Sequence, residues 1–288
     1  MSSTAKNEVQ RFLAAVPRRV PVPRAVALCY HSVAAERTRV STGRSVFRNH
    51  MSWIAEHCDV VPFDELGSSA IQDGDGRRPA VAITFDDGYD DNYREVFPVL
   101  VKHRFPATFF ITTGLVDGDR STLDRLVREW GQGGAALRPL SVEQLREMDA
   151  AGMTFGAHTR THPNLRGMDE THLVDEIAGS KERLEEILQR GVTTFAYPFG
   201  DARFHISSTA VAVVAMSGFR KAGTVGYRGI SRTTFPLLTP RFPVMNDPVE
   251  ILRAKVLGRL DVIGAWRDRM PDWLTRPLSS GRRRGGGS

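Results

Sequence analysis

The chain is poor in cysteine. Its 288 residues include two, Cys29 and Cys58. That is too few for a disulfide framework, and neither lies in a CxxC pattern. They read as buried small hydrophobes, with a single bridge between them left open. Long apolar runs are also lacking. None approaches the ~18 residues of a membrane-crossing helix, so no transmembrane segment is expected. The N-terminus lacks a secretory leader: Met1 to Gln10 is polar, and Phe12-Leu13-Ala14-Ala15-Val16 is short and stops at Pro17-Arg18-Arg19. No hydrophobic stretch follows Arg18-Arg19, as a twin-arginine signal requires. These absences give a cytoplasmic expectation. There is no internal repeat and no linker. No nucleic-acid motif accompanies the net charge of +6. Part of that charge sits in Arg282-Arg283-Arg284, ahead of Gly285-Gly286-Gly287, which reads as a solvated end. Nothing in the sequence sets an oligomeric state.

What is present is a globular composition, 41% hydrophobic and 25% charged, in a chain long enough to bury a full core. Apolar runs predict strands over 25–30, 80–83, 107–111, 152–157, 193–197 and from 219, with a short extended piece at 60–63 and a last strand near Leu237-Leu238. Helical spacing predicts helices in several stretches. One holds Phe47, Met51, Ile54 and Ala55, with Ser45 as cap. Another runs from Tyr93 to Val101, where Pro98 implies a kink or a late start. A third lies over 122–130, within an insertion spanning 113–138. Ser141 and Gln144 form a capping pattern. Further helices are expected over 169–189, 207–216 and 248–260. A surface loop is expected over 72–78. Strand and helix alternate, so the fold is expected to be α/β, a distorted or incomplete parallel (β/α) barrel. The division is an extension over 1–24, a catalytic domain over 25–262 and a basic Gly/Arg tail over 263–288.

Two clusters carry chemistry. Thr84-Phe85-Asp86-Asp87-Gly88 ends the apolar run 80–83. Adjacent side chains on an extended segment point opposite ways, so one carboxylate can hold a cation while the other serves as a base. Asp-Asp-Gly is also ordinary turn chemistry. His158-Thr159-Arg160-Thr161-His162 ends another strand. Its imidazoles share one face of a helical turn or meet across a tight loop. Two neutral imidazoles and one carboxylate, here Asp87, form a common catalytic zinc set. A lone HxxxH pair is more often a solvated helix face. Here all four residues end parallel strands and so share a rim, which favours the metal. Such a centre acidifies water, and Asp86 is placed to take the proton. His31, at the end of the first strand, is a candidate acid. A backbone N–H at Ala196-Tyr197-Pro198 adds an oxyanion donor. Together these parts suit hydrolysis of an amide or ester.

These two clusters, with Phe195-Ala196-Tyr197-Pro198-Phe199-Gly200, resemble the first three motifs of the NodB-type polysaccharide deacetylases, carbohydrate esterase family four. Pro106-Ala107-Thr108-Phe109-Phe110 resembles the strand that follows the first motif. The resemblance runs from about Ala25 to Pro243. It implies a distorted β/α barrel that removes N-acetyl groups from N-acetylglucosamine-containing polymers or oligomers. The implied cofactor is a divalent metal, zinc first, with cobalt, nickel or iron as substitutes. Residue by residue, it implies Asp86 as base, Asp87, His158 and His162 as metal ligands, and Thr159 as a shaper of the metal loop. It also implies Tyr197 as source of the oxyanion-holding N–H.

Two departures stand out. Ala196 replaces the arginine that usually orients the base, and no histidine follows His205 to supply the late Leu-x-His motif. Both resemble the poly-β-1,6-N-acetylglucosamine deacetylase branch, whose acid histidine comes from the first strand. Tyr30-His31-Ser32 matches that motif, which implies His31 as general acid. Arg241, in Pro240-Arg241-Phe242, matches an arginine common in that branch. It is read as orienting Asp86, contacting substrate or forming a structural salt bridge. His205 reads as a loop histidine, and Trp53, Trp130 and Trp266 as packing residues. The alternatives are an O-acetyl esterase, a peptidoglycan or chitooligosaccharide deacetylase of the same fold, and a catalytically silent carbohydrate-binding protein.

Overall fold

The computed structural model describes residues 25–34, 38, 40–67, 78–130 and 137–269. The N-terminal extension, all but Arg78 of the 72–78 loop, the glycine-rich stretch 131–136 and the arginine tail lie outside the described residues. β1 (Ala25–Tyr30) and β5 (Ala80–Phe85) are apolar and buried at every position, as strands covered on both faces are. They pair in parallel from Ala25↔Ala80 to Tyr30↔Phe85. That register brings the residues just past their ends, His31 and Asp86, side by side.

The remaining strands are β2 (Ser32–Ala34), β3 (Ser41–Gly43), β4 (Asp59–Val60), β6 (Thr108–Ile111), β7 (Thr154–Ala157), β8 (Thr194–Ala196), β9 (Lys221–Val225) and β10 (Thr239–Pro243). Seven strands close a ring in the order β1-β5-β6-β7-β8-β9-β10 and back to β1, every pair parallel. The barrel is therefore closed. β4 pairs with the start of β5 and β6 with its end, so β4 is a wedge beside the ring. β2 and β3 form a separate pair. Because all ring strands run the same way, their C-terminal ends share one rim.

Helices surround the ring: α1 (Arg44–His57), α2 (Phe97–His103), α3 (Thr113–Val116), α4 (Arg120–Trp130), α5 (Val142–Ala150), α6 (Glu170–Leu188), α7 (Ser208–Met216), α8 (Val249–Val256) and α9 (Asp261–Arg269). Ser141 and Gln144 form the expected capping box, and Asp169 and Ser207 cap α6 and α7. No described helix is long and apolar enough to cross a membrane.

Three local expectations are corrected, and the late start expected at Pro98 is seen. α1 starts one residue before Ser45, with Gly43 as its N-cap, because β3 runs up to that glycine. The stretch before Pro98 is a π-helical turn, Asn92–Val96, and Pro98 sits in the first turn of α2, where its missing N–H costs little. Leu237-Leu238 lies in a 3-10 turn opened by Pro236, and the last strand begins at Thr239. The closing helix is two helices, interrupted at Gly258 with φ 74°; α9 runs across residue 262.

Strand alternation sorts the core into two layers. Val26, Leu28, Val81, Ile83, Phe85 and Phe109 face the helices in the main cluster. Ala25, Ala27, Ala80, Ala82, Ala196, Phe63 and Phe110 form a second cluster inside the barrel. The bore is lined by small residues because large side chains, Phe63, Phe110 and Arg241, fill it. Phe110 fits only because Gly156 has no Cβ, which would lie 2.5 Å from its ring. Arg241 reaches in from β10 past Gly223, where a Cβ would lie 2.8 Å from Arg241 Cδ. Cys29 and Cys58 are both buried and free, so there is no bridge between them.

Candidate active site and metal centre

β5 delivers two carboxylates and the backbone then separates them. Asp86 continues the strand and its side chain enters the barrel. Asp87 has φ 75° and Gly88 φ 83°, a left-handed pair that Asp and Gly tolerate better than other residues. The turn directs the Asp87 carboxylate onto the rim.

There, Asp87 Oδ1 lies 3.5 Å from His158 Nε2 and 3.5 Å from His162 Nε2. His158 ends β7. Its Nδ1 lies 2.7 Å from the Ala196 carbonyl, which only accepts, so Nδ1 carries the proton and Nε2 presents a lone pair. His162 arrives from a tight loop rather than a helical turn, with φ 65° at Thr159 and 57° at His162. Thr159 Oγ1 bridges this loop, accepting from the His162 N–H at 2.9 Å and donating to the His158 carbonyl at 2.5 Å. Glu176 of α6 closes it from below. One carboxylate oxygen accepts from the N–H groups of Arg160 and Thr161, both at 2.9 Å, and the other from the Thr161 hydroxyl at 2.5 Å. Arg125 donates to the Thr161 and His162 carbonyls, and Phe199 packs edge-on to His162 at 4.8 Å.

This triad fits a divalent cation. All three residues are buried with their donor atoms within 4.8 Å of one another. Neither oxygen of Asp87 has a hydrogen-bond partner among the described residues. A bare buried carboxylate is costly unless a cation compensates it. Burial pushes the His162 pKa down to about 3, keeping it neutral as a ligand must be. The 3.5 Å separations approach the roughly 3.3–3.5 Å edges of a tetrahedron built with zinc-like bond lengths.

Asp86 has the opposite surroundings. The Arg241 guanidinium grips it with a two-pronged fork, Nη1 to Oδ1 at 2.6 Å and Nη2 to Oδ2 at 2.8 Å. Arg241 is fully buried. It also donates to Thr84 Oγ1 and to the Thr224 carbonyl, and lies over the Phe110 ring. Burial opposes the charge on Asp86, but the Arg241 guanidinium outweighs it and holds the carboxyl well below the usual range. Asp86 Oδ2 is 3.9 Å from His158 Nε2, so it sits at the triad's edge without belonging to it.

His31 follows β1 and is partly exposed. A ring nitrogen lies within 4.8 Å of the Asp86 carboxylate, and its backbone carbonyl accepts from Asn92 Nδ2 at 2.8 Å. Asp86, Asp87, His158, His162, His31, Thr159 and Arg241 thus meet at one end of the barrel. Tyr197 requires a correction. Its N–H donates to the Gly223 carbonyl at 3.1 Å, because the β8–β9 ladder continues one residue past β8. That N–H is engaged in the ladder. His205 stacks on Phe199 rather than joining the metal ligands.

Sequence reasoning missed Cys29, Glu176 and Arg125. Cys29 carried a signal, since it lies two residues before His31 and therefore on the same strand face; its Sγ is 3.3 Å from Asp86 Oδ2. Glu176 sits beside Leu173 and Ile177 on the inward stripe of α6, an unusual place for a carboxylate without a partner. Arg125, on an exposed helix pattern, gave none.

Residues 73–222 match the sequence profile of a family described as polysaccharide deacetylase; His31 and Arg241 lie outside that stretch. The chain is 28% identical over 185 residues to YxkH of Bacillus subtilis, which bears a polysaccharide deacetylase name. That alignment covers 64% of this chain and 58% of YxkH, so the chain spans less than two thirds of that relative. It is 23% identical over 235 residues to the poly-β-1,6-N-acetyl-D-glucosamine N-deacetylase of Staphylococcus aureus, covering 77% of this chain and 74% of the relative. Among solved structures, the deacetylase PplD of Streptococcus pyogenes superposes with a TM-score of 0.64 at 22% identity, over 82% of this chain and 99% of PplD. IcaB of Ammonifex degensii gives 0.65 at 24%, over 82% of this chain and 98% of IcaB. At these identities the likeness is one of fold.

Proposed function

The chain belongs to the polysaccharide deacetylase family, and we propose that it removes N-acetyl groups from N-acetylglucosamine-containing polysaccharide or oligosaccharide. The observation that carries this is the pair of adjacent carboxylates in opposite states. Asp87 is bare beside two imidazole nitrogens, and Asp86 is ionised and locked by Arg241 at the edge of the same centre. The name of the Staphylococcus aureus relative supports the substrate class.

Asp87, His158 and His162 would hold a divalent cation, zinc first, which when bound would supply Lewis-acid polarisation of the acetyl carbonyl and a more acidic water. Asp86 is the base placed to accept the proton of the attacking water. Arg241 keeps Asp86 charged and fixes the plane of its carboxylate, replacing the arginine that Ala196 does not provide. His31, on the open side, gives a proton to the leaving nitrogen. Thr159 and Glu176 hold the His158–His162 loop in its left-handed turns, so the ligands are set before the cation arrives.

The experiment is acetate release from N-acetylglucosamine oligomers by the full chain, with chelator and after re-addition of zinc, cobalt, nickel or iron. Release that stops with chelator and returns with metal is expected. Absence of release with every metal and every acetylated sugar would sink this reading.

A further inference from the structure

β1 carries a second set of donors to the same end of the barrel. Cys29 and His31 are two residues apart on an extended segment, so their side chains lie on the same side. The β1–β5 register aligns Cys29 with Thr84 and Tyr30 with Phe85, which brings that side against Asp86. Cys29 Sγ lies 3.3 Å from Asp86 Oδ2. One donor atom each from Cys29, His31 and Asp86 falls within 4.8 Å of the others. His31 Nδ1 is buried without a hydrogen-bond partner among the described residues. The residue itself is partly exposed, which gives a cation a route to the otherwise enclosed thiol.

The donor types define what such a site takes. Thiolate, imidazole and carboxylate together suit zinc or cadmium rather than magnesium or calcium. Sulfur and oxygen ligands on a tetrahedral zinc-like ion stand roughly 3.5 Å apart, close to the 3.3 Å seen between Cys29 and Asp86. We propose that Cys29, His31 and Asp86 form a second site for a thiophilic divalent cation, separate in its ligands from Asp87, His158 and His162, and that filling it inhibits the protein.

The second site is the weaker one. On binding, the Cys29 S–H bond breaks, its proton leaves to solvent and a sulfur–metal bond forms; nothing is oxidised or reduced. Burial disfavours that ionisation, the positive charge of Arg241 assists it, and the Asp86 and Asp87 carboxylates add to the cost. The Asp86 lone pair that accepts the thiol proton is freed in the same step, while the Arg241 fork stays in place. The first centre needs no thiol deprotonation and so fills first. Inhibition follows because one cation ties up Asp86 and His31 together. This consequence rests on the base and acid roles proposed above, whereas the binding does not.

The test is titration of the metal-depleted full chain with cadmium, followed by calorimetry and by the sulfur-to-cadmium charge-transfer absorption. Two binding events are expected, with the sulfur absorption accompanying the weaker. Cys29→Ala removes the weaker event and the absorption, and Cys58→Ala keeps both. Asp87→Asn loses the stronger event and retains the absorption, which carries the test if Cys29→Ala does not fold. In acetate release, excess zinc inhibits, and Cys29→Ala raises the half-inhibitory concentration by about tenfold or more. A single event without sulfur absorption overturns the second site, as does an absorption that survives Cys29→Ala. Two events with no acetate release would leave the second site standing and remove the deacetylase reading.

Discussion

Asp86 and Asp87 are neighbours in the chain and opposites in their surroundings. Asp86 enters a bore where a guanidinium fork and a thiol already face it. Asp87 reaches a rim where no described group donates to it and two imidazole nitrogens stand 3.5 Å away. The difference arises where the strand gives way to a left-handed turn, with φ 75° at Asp87 and 83° at Gly88. A carboxylate ringed by fixed donors keeps its charge without help. A bare one, buried beside neutral imidazoles, gains from a cation. Two residues of one type, one position apart, are thereby suited to different work.

Substitutions at the two positions give the largest expected effects. Asp87→Ala loses cation binding at the triad, read by calorimetry, and takes acetate release to background. Asp86→Asn keeps that binding and loses roughly 10²–10⁴ in kcat. Equal loss of binding in both variants would erase the distinction. His31→Ala also keeps the cation and loses on the order of 10²–10⁴ on amides. It loses less on an acetyl ester with a good leaving group, whose departure needs no proton. Equal losses on both substrates would remove His31 as the acid.

The Arg241 fork predicts a stability effect. Removing one partner of a buried pair costs about 3–5 kcal/mol, so Arg241→Met is expected to unfold at lower urea. The sign with pH follows from the depressed carboxyl of Asp86. Its contribution is present above the unfolded value of about 4 and is lost as pH falls toward the folded one. The metal-free native protein is thus expected to lose stability on acidification more steeply than Arg241→Met. The smallest effect is at Glu176→Gln, which loosens the loop behind His162. Metal affinity is expected to fall by roughly 10–100-fold with little change in kcat at saturating metal.

Much of the site was legible because buried parallel strands announce themselves as unbroken apolar runs, and the rim residues are whatever follows them. Asp86, Asp87, His158 and His31 were placed by that logic alone. β10 was not, because Pro240 and Pro243 break its pattern and Pro236 opens a turn just before it. The closing of the ring was equally hidden, since it rests on β1 meeting both β5 and β10, pairings between segments far apart in the chain. The partner of Asp86 could be suspected from the sequence only as one of three roles for Arg241; its fork is a three-dimensional fact. The oxyanion role expected of Tyr197 failed because ladder pairing outlasts the strand by a residue, which no composition reveals.

The narrow bore has a consequence for how this protein tolerates change. Ala27 and Ala82 belong to the small inner cluster, and the missing Cβ of Gly223 is what admits the Arg241 side chain that grips Asp86. On the base role proposed for Asp86, interior volume becomes a catalytic variable, and a methyl group added at Gly223, which would clash with Arg241, is expected to lower turnover. Residues with the appearance of mere filling would then share in aiming the proton acceptor proposed at Asp86.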